Sequence, residues 1–486
     1  MENGLMVKKS IKKNYIYNVG YQILILIAPL VTTPYISRVL GADGVGNISY
    51  VESVVAYFSL FATMGITTYG QREVSYVQES KEKRSEAFWN IKILEFITSI
   101  IALGVYIAFS MTRENKLIYL VFSLNIITIF ADITWFFQGI EEFGKIVFRN
   151  TIFKILNIIY IFTFVHSKRD IVIYILGLNF FTLLSNLSLW VCLPRYVSKV
   201  RIKTIHPFEN LSDVLSLFLP TIAIEVYTVL DKTMIGAITK NTFENGYYEN
   251  AIKVSKIVLR LVTALGTVMI PRIGYHFRRN ETKEVQRLMY KDYRFVWFLG
   301  VPLCLGLIMI AGNFVPWFFG DGYEKVVCLI QVLAFLILAV GINNVTGMQY
   351  LIPTKRQNIF TLTVVIGAVV NFVLNSILIP IYQSTGAAIA SVVAETVIAV
   401  AQLVMVRKEL DICEIIRQGS HYYISGGLMA ALLWVVSKEV LPSAFATFML
   451  VMTGALGYSA LLLIMRDEFF ISNIRNITKR FSKKKA

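Results

Sequence analysis

Three cations are spaced so that a single helix would present them together. Lys253, Lys256 and Arg260 stand at i, i+3 and i+7, and Glu249 lies one turn before them. These spacings share one helix face. An arginine fork and two lysine point charges on one face suit a phosphate or diphosphate. The alternative is structural: Lys253 would snorkel to the exterior interface, and Lys256 would pair with an acid on another helix.

Arg260 is the strongest candidate of the three for a binding role, because it lies near the middle of a predicted membrane span, 250–271. A cation at that depth costs about 2.5–3.5 kcal/mol on insertion scales and needs water or a partner. We therefore expect Arg260 to face a water-filled cavity.

Carboxylates within apolar runs form the second group of candidates. Glu225 and Glu395 lie closest to mid-span, and Asp132 is a further candidate. Each could bind and release a proton in ion coupling, or could remain a neutral acid hydrogen-bonded to a neighbouring helix. Asp231 could pair with the cations near 253–260, either as a structural contact or as a gate. Lys92 and Glu95, at i and i+3, predict a local ion pair.

The remaining reactive side chains indicate no catalytic or metal site. The four cysteines have no metal-ligand spacing, and the four histidines are scattered at span ends and in loops. The sequence contains no G-x-x-x-x-G-K-[ST] phosphate loop. We expect no cofactor, no metal and no catalytic residue.

The elements that carry these residues are membrane helices. Of the 486 residues 56% are hydrophobic and only 16% charged, and the mean hydropathy is +0.62. This composition excludes a soluble globular protein and a disordered chain. Runs of about 20 apolar residues, the length that crosses a bilayer, predict fourteen spans: 15–37, 46–69, 88–109, 117–138, 146–166, 171–193, 214–237, 250–271, 293–318, 326–348, 358–380, 386–406, 421–437 and 445–465.

The basic residues predict the orientation. If the N-terminus is cytoplasmic, 31 of the 47 Lys and Arg residues fall in cytoplasmic segments, 8 in exterior loops and 8 inside spans. This asymmetry follows the positive-inside rule and places both ends in the cytoplasm. The net charge of +16 is therefore mainly a topology signal and not a nucleic-acid footprint.

A weak internal repeat predicts the domain organisation. The run Val39–Ala42 matches Met234–Ala237, and an offset of 200 then pairs Gly46 with Gly246 and Arg72 with Arg272. The predicted domains are a six-helix lobe at 1–193, a cytoplasmic linker at 194–213, a second six-helix lobe at 214–406, and two further helices with a basic tail at 407–486. Two similar bundles imply a central cleft. The first copy has no cations at the positions matching 253, 256 and 260, so the repeat itself does not require them.

Several segments resemble a known family. The stretches 17–22 (YNVGYQ), 29–41 (PLVTTPYISRVLG) and 65–73 (GITTYGQRE), with the later 231–236 (DKTMIG), are similar to bacterial Wzx-type polysaccharide flippases. That family belongs to the multidrug/oligosaccharidyl-lipid/polysaccharide exporter superfamily. The similarity covers the full length, and the first seventy residues carry its most specific part.

The resemblance implies an all-α membrane protein with a V-shaped, MATE-like pair of six-helix lobes and two additional C-terminal helices. It implies a flippase that works by alternating access in the bacterial cell membrane and moves undecaprenyl-diphosphate-linked oligosaccharide units to the outer leaflet. The product would be capsule, O-antigen or another exopolysaccharide. The diphosphate would bind cavity cations, for which Arg260, Lys256 and Lys253 are the candidates, with Arg38 at a span end as a fourth.

The resemblance also implies partners and a source of energy. Membrane lipids, a polysaccharide polymerase and export machinery are the expected partners, and nucleic acid is not. The sequence has no ATP-binding motif. Movement of the cargo would therefore be driven by H⁺ or Na⁺ coupling, by the membrane potential or by consumption of the product.

Two other classes of function remain open. A cation-coupled multidrug exporter of the related MATE class would favour an acidic cleft for cationic cargo. An intramembrane polymerase or ligase would carry a large exterior loop with Arg or His residues, whereas the predicted exterior loops are at most about a dozen residues.

Overall fold

The architecture is a chain of helices divided into two compact units. The computed structural model describes residues 11–264 and 266–482, without the side chains of 11–19, 22, 23, 202, 219–221, 223, 224, 267, 268 and 476–482. No strand occurs among these residues. The first unit ends at Gly236 and the second begins at Ala237. The predicted all-α membrane fold is confirmed, while the four predicted domain ranges stay a prediction.

Eight α-helices build the described part of the first unit, and the last of them crosses the unit boundary by three residues. They are α1 (Ile11–Thr63), α2 (Ile66–Tyr76), α3 (Lys81–Met111), α4 (Lys116–Ala131), α5 (Thr134–Gly139), α6 (Phe143–Phe164), α7 (Ile171–Cys192) and α8 (Leu211–Thr239).

Helix α1 contains the predicted span 15–37 and residues 46–63 of the predicted span 46–69, and a backbone break separates the two. Gly41 has φ 72° and ψ 172°, a conformation that disfavours any residue with a side chain. The predicted break between these spans is therefore confirmed, and glycine is what permits it. Leu40, on the N-terminal side of the break, is buried in a core that also contains Tyr106 of α3 and Phe122 of α4.

Eleven α-helices occur among the described residues of the second unit. They are α9 (Thr242–Thr263), α10 (Gly266–Arg278), α11 (Thr282–Phe319), α12 (Glu324–Leu333), α13 (Leu336–Asn343), α14 (Gln357–Tyr382), α15 (Ser384–Val406), α16 (Ile412–Arg417), α17 (Ser420–Lys438), α18 (Ala444–Ile464) and α19 (Glu468–Ser482). A π-helical stretch, Asn344–Leu351, continues directly from α13.

Close packing in this unit depends on small residues, as expected for membrane helices. At Gly386 of α15 a Cβ atom would lie 2.4 Å from the backbone oxygen of Leu378 in α14. A side chain there would push the two helices apart.

The exposed surface of the helices is strongly apolar. Val105 of α3, Phe445 of α18 and Leu456 of α18 are between 55% and 73% exposed. Such a band suits contact with lipid. All fourteen predicted spans lie mainly on helices, and ten helical segments of the described chain are long and apolar enough to cross a membrane. The chain is a multi-pass membrane protein, and the count of fourteen spans stays a prediction.

Candidate functional site

Helix α9 carries the three predicted cations and is fixed firmly at its start. Asn241 caps it by accepting a hydrogen bond from the backbone N–H of Phe243 at 3.1 Å. One turn later, the buried carboxylate of Glu244 accepts bonds from Lys325 Nζ at 2.8 and 2.7 Å. The backbone N–H of Ser384 also donates to Glu244, at 3.1 Å. These contacts tie the start of α9 to the first turns of α12 and α15.

The structure brings Lys253, Lys256 and Arg260 to one face of α9, as the spacing predicts. Lys253 is half-buried, and its Nζ lies 3.0 Å from Oε1 of the buried Glu249. Lys256 and Arg260 are exposed. The stripe therefore runs from a neutralised ion pair to exposed positive charge at the C-terminal end of the helix.

Arg260 lies in the last turn of α9, which differs from its expected position near mid-span. The predicted span 250–271 is divided between α9, ending at Thr263, and α10, beginning at Gly266. Gly266 packs tightly, because a Cβ there would lie 3.0 Å from Oδ1 of Asn344. At a helix C-terminus the partial negative charge of the carbonyl groups also stabilises a cation, by about 0.3–1 kcal/mol. Among the described residues, no side chain forms an ion pair with Arg260.

The fourth predicted binding residue, Arg38, belongs to the first unit. It lies in α1, three residues before the break at Gly41, and its side chain is exposed. Its role in binding stays a prediction.

Two of the predicted coupling carboxylates lie six residues apart on α8. Glu225 is exposed and Asp231 is buried, with 8% of its surface accessible. The predicted pairing of Asp231 with the cations of α9 stays a prediction.

The third coupling carboxylate, Glu395 of α15, lies beside a polar region in the second unit. It is half-buried, and its Oε2 accepts a hydrogen bond from Nδ2 of Asn343 at 2.9 Å. The π-helical stretch begins at the next residue, where Gln349 Nε2 donates to Asn344 Oδ1 at 3.0 Å. Single π-helical turns are often found at functional sites because they redirect side chains. Glu395 is therefore hydrogen-bonded to a neighbouring helix, and its part in ion coupling stays a prediction.

Asp132, the fourth predicted coupling carboxylate, has a clear structural role. It follows the last residue of α4 and accepts hydrogen bonds from Thr134, the first residue of α5: from its backbone N–H, at 2.8 Å, and from its hydroxyl. This geometry favours a structural role for Asp132, as a hydrogen-bonded side chain, over a role in ion coupling.

A buried charge cluster surrounds Asp132 in the first unit. The predicted ion pair is confirmed: Lys92 Nζ lies 2.7 Å from Glu95 Oε2, and both side chains are almost fully buried. Lys92 also donates to the backbone oxygen of Asp132 at 3.0 Å. Arg149 of α6, itself 7% exposed, donates to the Thr134 hydroxyl at 2.5 Å.

Sequence reasoning missed the part played by Arg149. It also donates to the Ser185 backbone oxygen at 2.6 Å and to Asn186 Oδ1 at 3.2 Å, which joins α6 to α7. The available signal was its place in the predicted span 146–166, because a cation within a span needs a partner. The identity of that partner could not be read from the sequence.

A metal site is not indicated. In the described part of the chain, no three His, Cys, Asp or Glu side chains are close enough to hold an ion together.

The comparison with known families and proteins is consistent with these features. The family model described as "Polysaccharide biosynthesis protein" matches residues 11–277. A protein of Escherichia coli (strain K12) named "Putative O-antigen transporter" is 22% identical over 413 residues, which cover 84% of this chain and 99% of that protein.

Solved structures show the same fold at low sequence identity. A structure of the lipid II flippase MurJ in an inward closed conformation matches with a TM-score of 0.74 and 16% identity, covering 94% of this chain and 100% of that one. An inward-facing MATE family multidrug resistance transporter matches with a TM-score of 0.63 and 11% identity, covering 86% and 98%.

Proposed function

Because the chain belongs to the family of polysaccharide biosynthesis proteins, we propose that it is a flippase for lipid-linked oligosaccharides. Its cargo is an undecaprenyl-diphosphate-linked repeat unit of capsule, O-antigen or another exopolysaccharide, moved from the cytoplasmic to the outer leaflet by alternating access. The name of the Escherichia coli relative supports a polysaccharide cargo. The observation that carries the proposal is the exposed cationic end of α9 in a predominantly apolar chain.

The chemistry of α9 supports a diphosphate as the group that is bound. Arg260 offers a planar fork of donors, and Lys256, four residues earlier on the same face, offers a second positive charge. Lys253 contributes less net charge because Glu249 lies 3.0 Å away. We assign the main part of binding to Arg260, with Lys256, Lys253 and Arg38 as secondary contacts.

The energy for transport is assigned to an ion gradient. The sequence contains no phosphate loop for ATP. We propose H⁺ or Na⁺ coupling through Glu225, Asp231 and Glu395, and retain Asp132 as a candidate with a mainly structural part. The protein would act in the bacterial cell membrane, with both ends in the cytoplasm and with a polysaccharide polymerase and export machinery as partners. It is a transporter and not an enzyme.

A cation-coupled multidrug exporter is the second candidate, since the fold is also that of a MATE family transporter. The fold does not discriminate between the two functions, so the discrimination depends on the charge of the candidate site. The exposed cations of α9 would repel a cationic drug and attract an anionic headgroup. This difference favours the flippase.

The experiment is Arg260→Ala in a strain that lacks the chromosomal copy of the gene. We expect loss of surface polysaccharide at an unchanged protein level, because a charged hydrogen bond to the diphosphate is worth about 1.5–3 kcal/mol, roughly a 10- to 150-fold change in affinity. Arg260→Lys should retain part of the activity, since it keeps the charge without the fork.

Arg278→Ala is the matched control, because Arg278 is also an exposed arginine in the last turn of a helix, α10. It should leave polysaccharide export unchanged. Full export with Arg260→Ala would contradict the assignment of this residue. Identification of the lipid-linked glycan that accumulates in the deletion strain would identify the cargo, and the absence of any such glycan would contradict the proposed function.

A further inference from the structure

The C-terminal helix α19 has the composition of a membrane-surface helix. In the sequence, Phe470, Ile474, Ile477 and Phe481 stand at i, i+4, i+7 and i+11, which places them on one stripe. Ile474 is 41% exposed. Helix α19 has 15 residues, about 22 Å, so it is too short to cross a bilayer of about 30 Å.

The start of α19 is held rigidly by Asp467, which is 1% exposed. Its Oδ1 accepts a hydrogen bond from the backbone N–H of Phe470 at 2.8 Å and so caps the helix. Its Oδ2 lies 2.9 Å from an Arg294 nitrogen of α11, and the Tyr422 hydroxyl of α17 donates to it at 3.2 Å. The start of α19 is therefore fixed to α11 and α17.

Aromatic packing strengthens this attachment. Phe298 of α11 contacts both Phe469 and Phe470, with ring centroids 5.5 and 6.0 Å apart. The Arg294 guanidinium also lies 5.4 Å from the centre of the Phe469 ring. The first turn of α19 is thus part of the packed unit, and residues 472–475, which follow it, are exposed.

The depth of α19 in the membrane follows from its connection to α18. Helix α18 is one of the ten candidate spans and ends at Ile464. Only Met465, Arg466 and Asp467 lie between the two helices, a segment of at most about 10 Å. The headgroup layer is roughly 5–8 Å thick on each side of the hydrocarbon core. The first turn of α19 therefore lies at or next to the headgroups.

The charge of α19 identifies the lipid that suits it. After Glu468 the sequence contains no acidic residue, whereas Arg475, Lys479 and Arg480 lie in the helix and Lys483–Lys485 follow it. Arg475 is exposed. A basic helix with an apolar stripe binds at the interface of anionic bilayers.

We propose that α19 lies on the membrane surface and binds anionic phospholipid headgroups, with the part of its apolar stripe that follows Phe470 towards the acyl chains. This interaction is independent of the transported cargo. It would hold the end of the second unit to one leaflet.

Hydrogen exchange of the purified full-length protein in nanodiscs tests the proposal. Discs of phosphatidylcholine are compared with discs that contain 30 mol% phosphatidylglycerol. We expect the amides of 471–482 to exchange more slowly in the anionic discs. In the double variant Arg475→Gln/Lys479→Gln this difference should fall by about 25-fold, because each cation near an anionic surface contributes about fivefold.

A matched pair of variants tests the apolar stripe. Ile474→Asp places a negative charge on the stripe, and Ser472→Asp places the same charge on the opposite side of the helix. We expect Ile474→Asp to abolish the protection and Ser472→Asp to reduce it only slightly. Equal exchange in the two kinds of disc, or equal effects of the two variants, would overturn the proposal.

Discussion

Removal of Glu95 should destabilise the protein strongly, because it leaves Lys92 charged and buried. The side chains of Lys92 and Glu95 are 3% and 2% exposed, and their charged atoms are 2.7 Å apart. At an effective dielectric constant of 20, two unit charges at that distance attract by about 6 kcal/mol. Desolvation offsets part of this gain, and deleting one partner of a buried pair usually costs about 3–5 kcal/mol. We expect a loss in that range for Glu95→Leu.

Removing both charges should restore most of the stability. The double variant Lys92→Met/Glu95→Leu leaves no uncompensated charge and loses mainly the hydrogen bond from Lys92 to the Asp132 backbone oxygen, worth about 1 kcal/mol. The two substitutions should therefore couple by at least about 2 kcal/mol.

Thermal unfolding of the purified protein in detergent, followed by tryptophan fluorescence, measures these effects. On the scale of domains of 150–250 residues, a loss of 3–5 kcal/mol corresponds to a fall of roughly 6–20 °C in the midpoint. Glu284→Gln is the control, since Glu284 and Arg287 form an i, i+3 pair on an exposed surface and such pairs contribute little. A double variant as unstable as Glu95→Leu would refute the reasoning, as would a Glu95→Leu protein with the midpoint of the wild type.

Two further predictions concern pH. Burial raises the pKa of Asp467, but hydrogen bonds from the Phe470 N–H and from Arg294 outweigh it and hold this pKa below its usual value. The Asp467 carboxylate therefore stabilises the fold above about pH 4, the pKa of an aspartate in the unfolded chain. This stabilisation is lost as the pH falls through the lower pKa of the folded state. Asp467→Asn should therefore flatten the acid limb of the pH–stability curve, and an unchanged limb would contradict the assignment. For coupling, Glu225→Gln and Glu395→Gln should each alter the pH dependence of transport into vesicles, and wild-type profiles in both would contradict proton coupling through these residues.

Most of the helical architecture was predictable because it depends on local composition. Runs of apolar residues must form helices in a bilayer, and the break at Gly41 follows from a glycine between two such runs. The division of the predicted span 250–271 between two helices was harder to predict from the sequence. The apolar run continues through 250–271 without a local signal for a helix end, and the close approach of Gly266 to Asn344 joins residues 78 positions apart, which no local pattern reports.

The candidate site was predictable to a smaller extent. Helical spacing alone placed Lys253, Lys256 and Arg260 on one face, and local spacing also predicted the pair of Lys92 with Glu95. The bonds of Arg149 to Thr134 and to α7 could not be predicted, because they join segments that are distant in sequence.

The contrast between buried and exposed cations gives the Arg260 experiment its meaning. Lys92 is enclosed, so deleting its partner changes the free energy of folding whatever the transported cargo is. Arg260 is exposed, and no described carboxylate pairs with it, so its removal should leave no buried charge behind. At most it loses the favourable interaction with the carbonyl end of α9, about 0.3–1 kcal/mol. If Arg260→Ala retains the unfolding midpoint of the wild type and still abolishes export, the loss must come from an interaction that forms during transport, and an anionic cargo is what the chemistry of arginine predicts there.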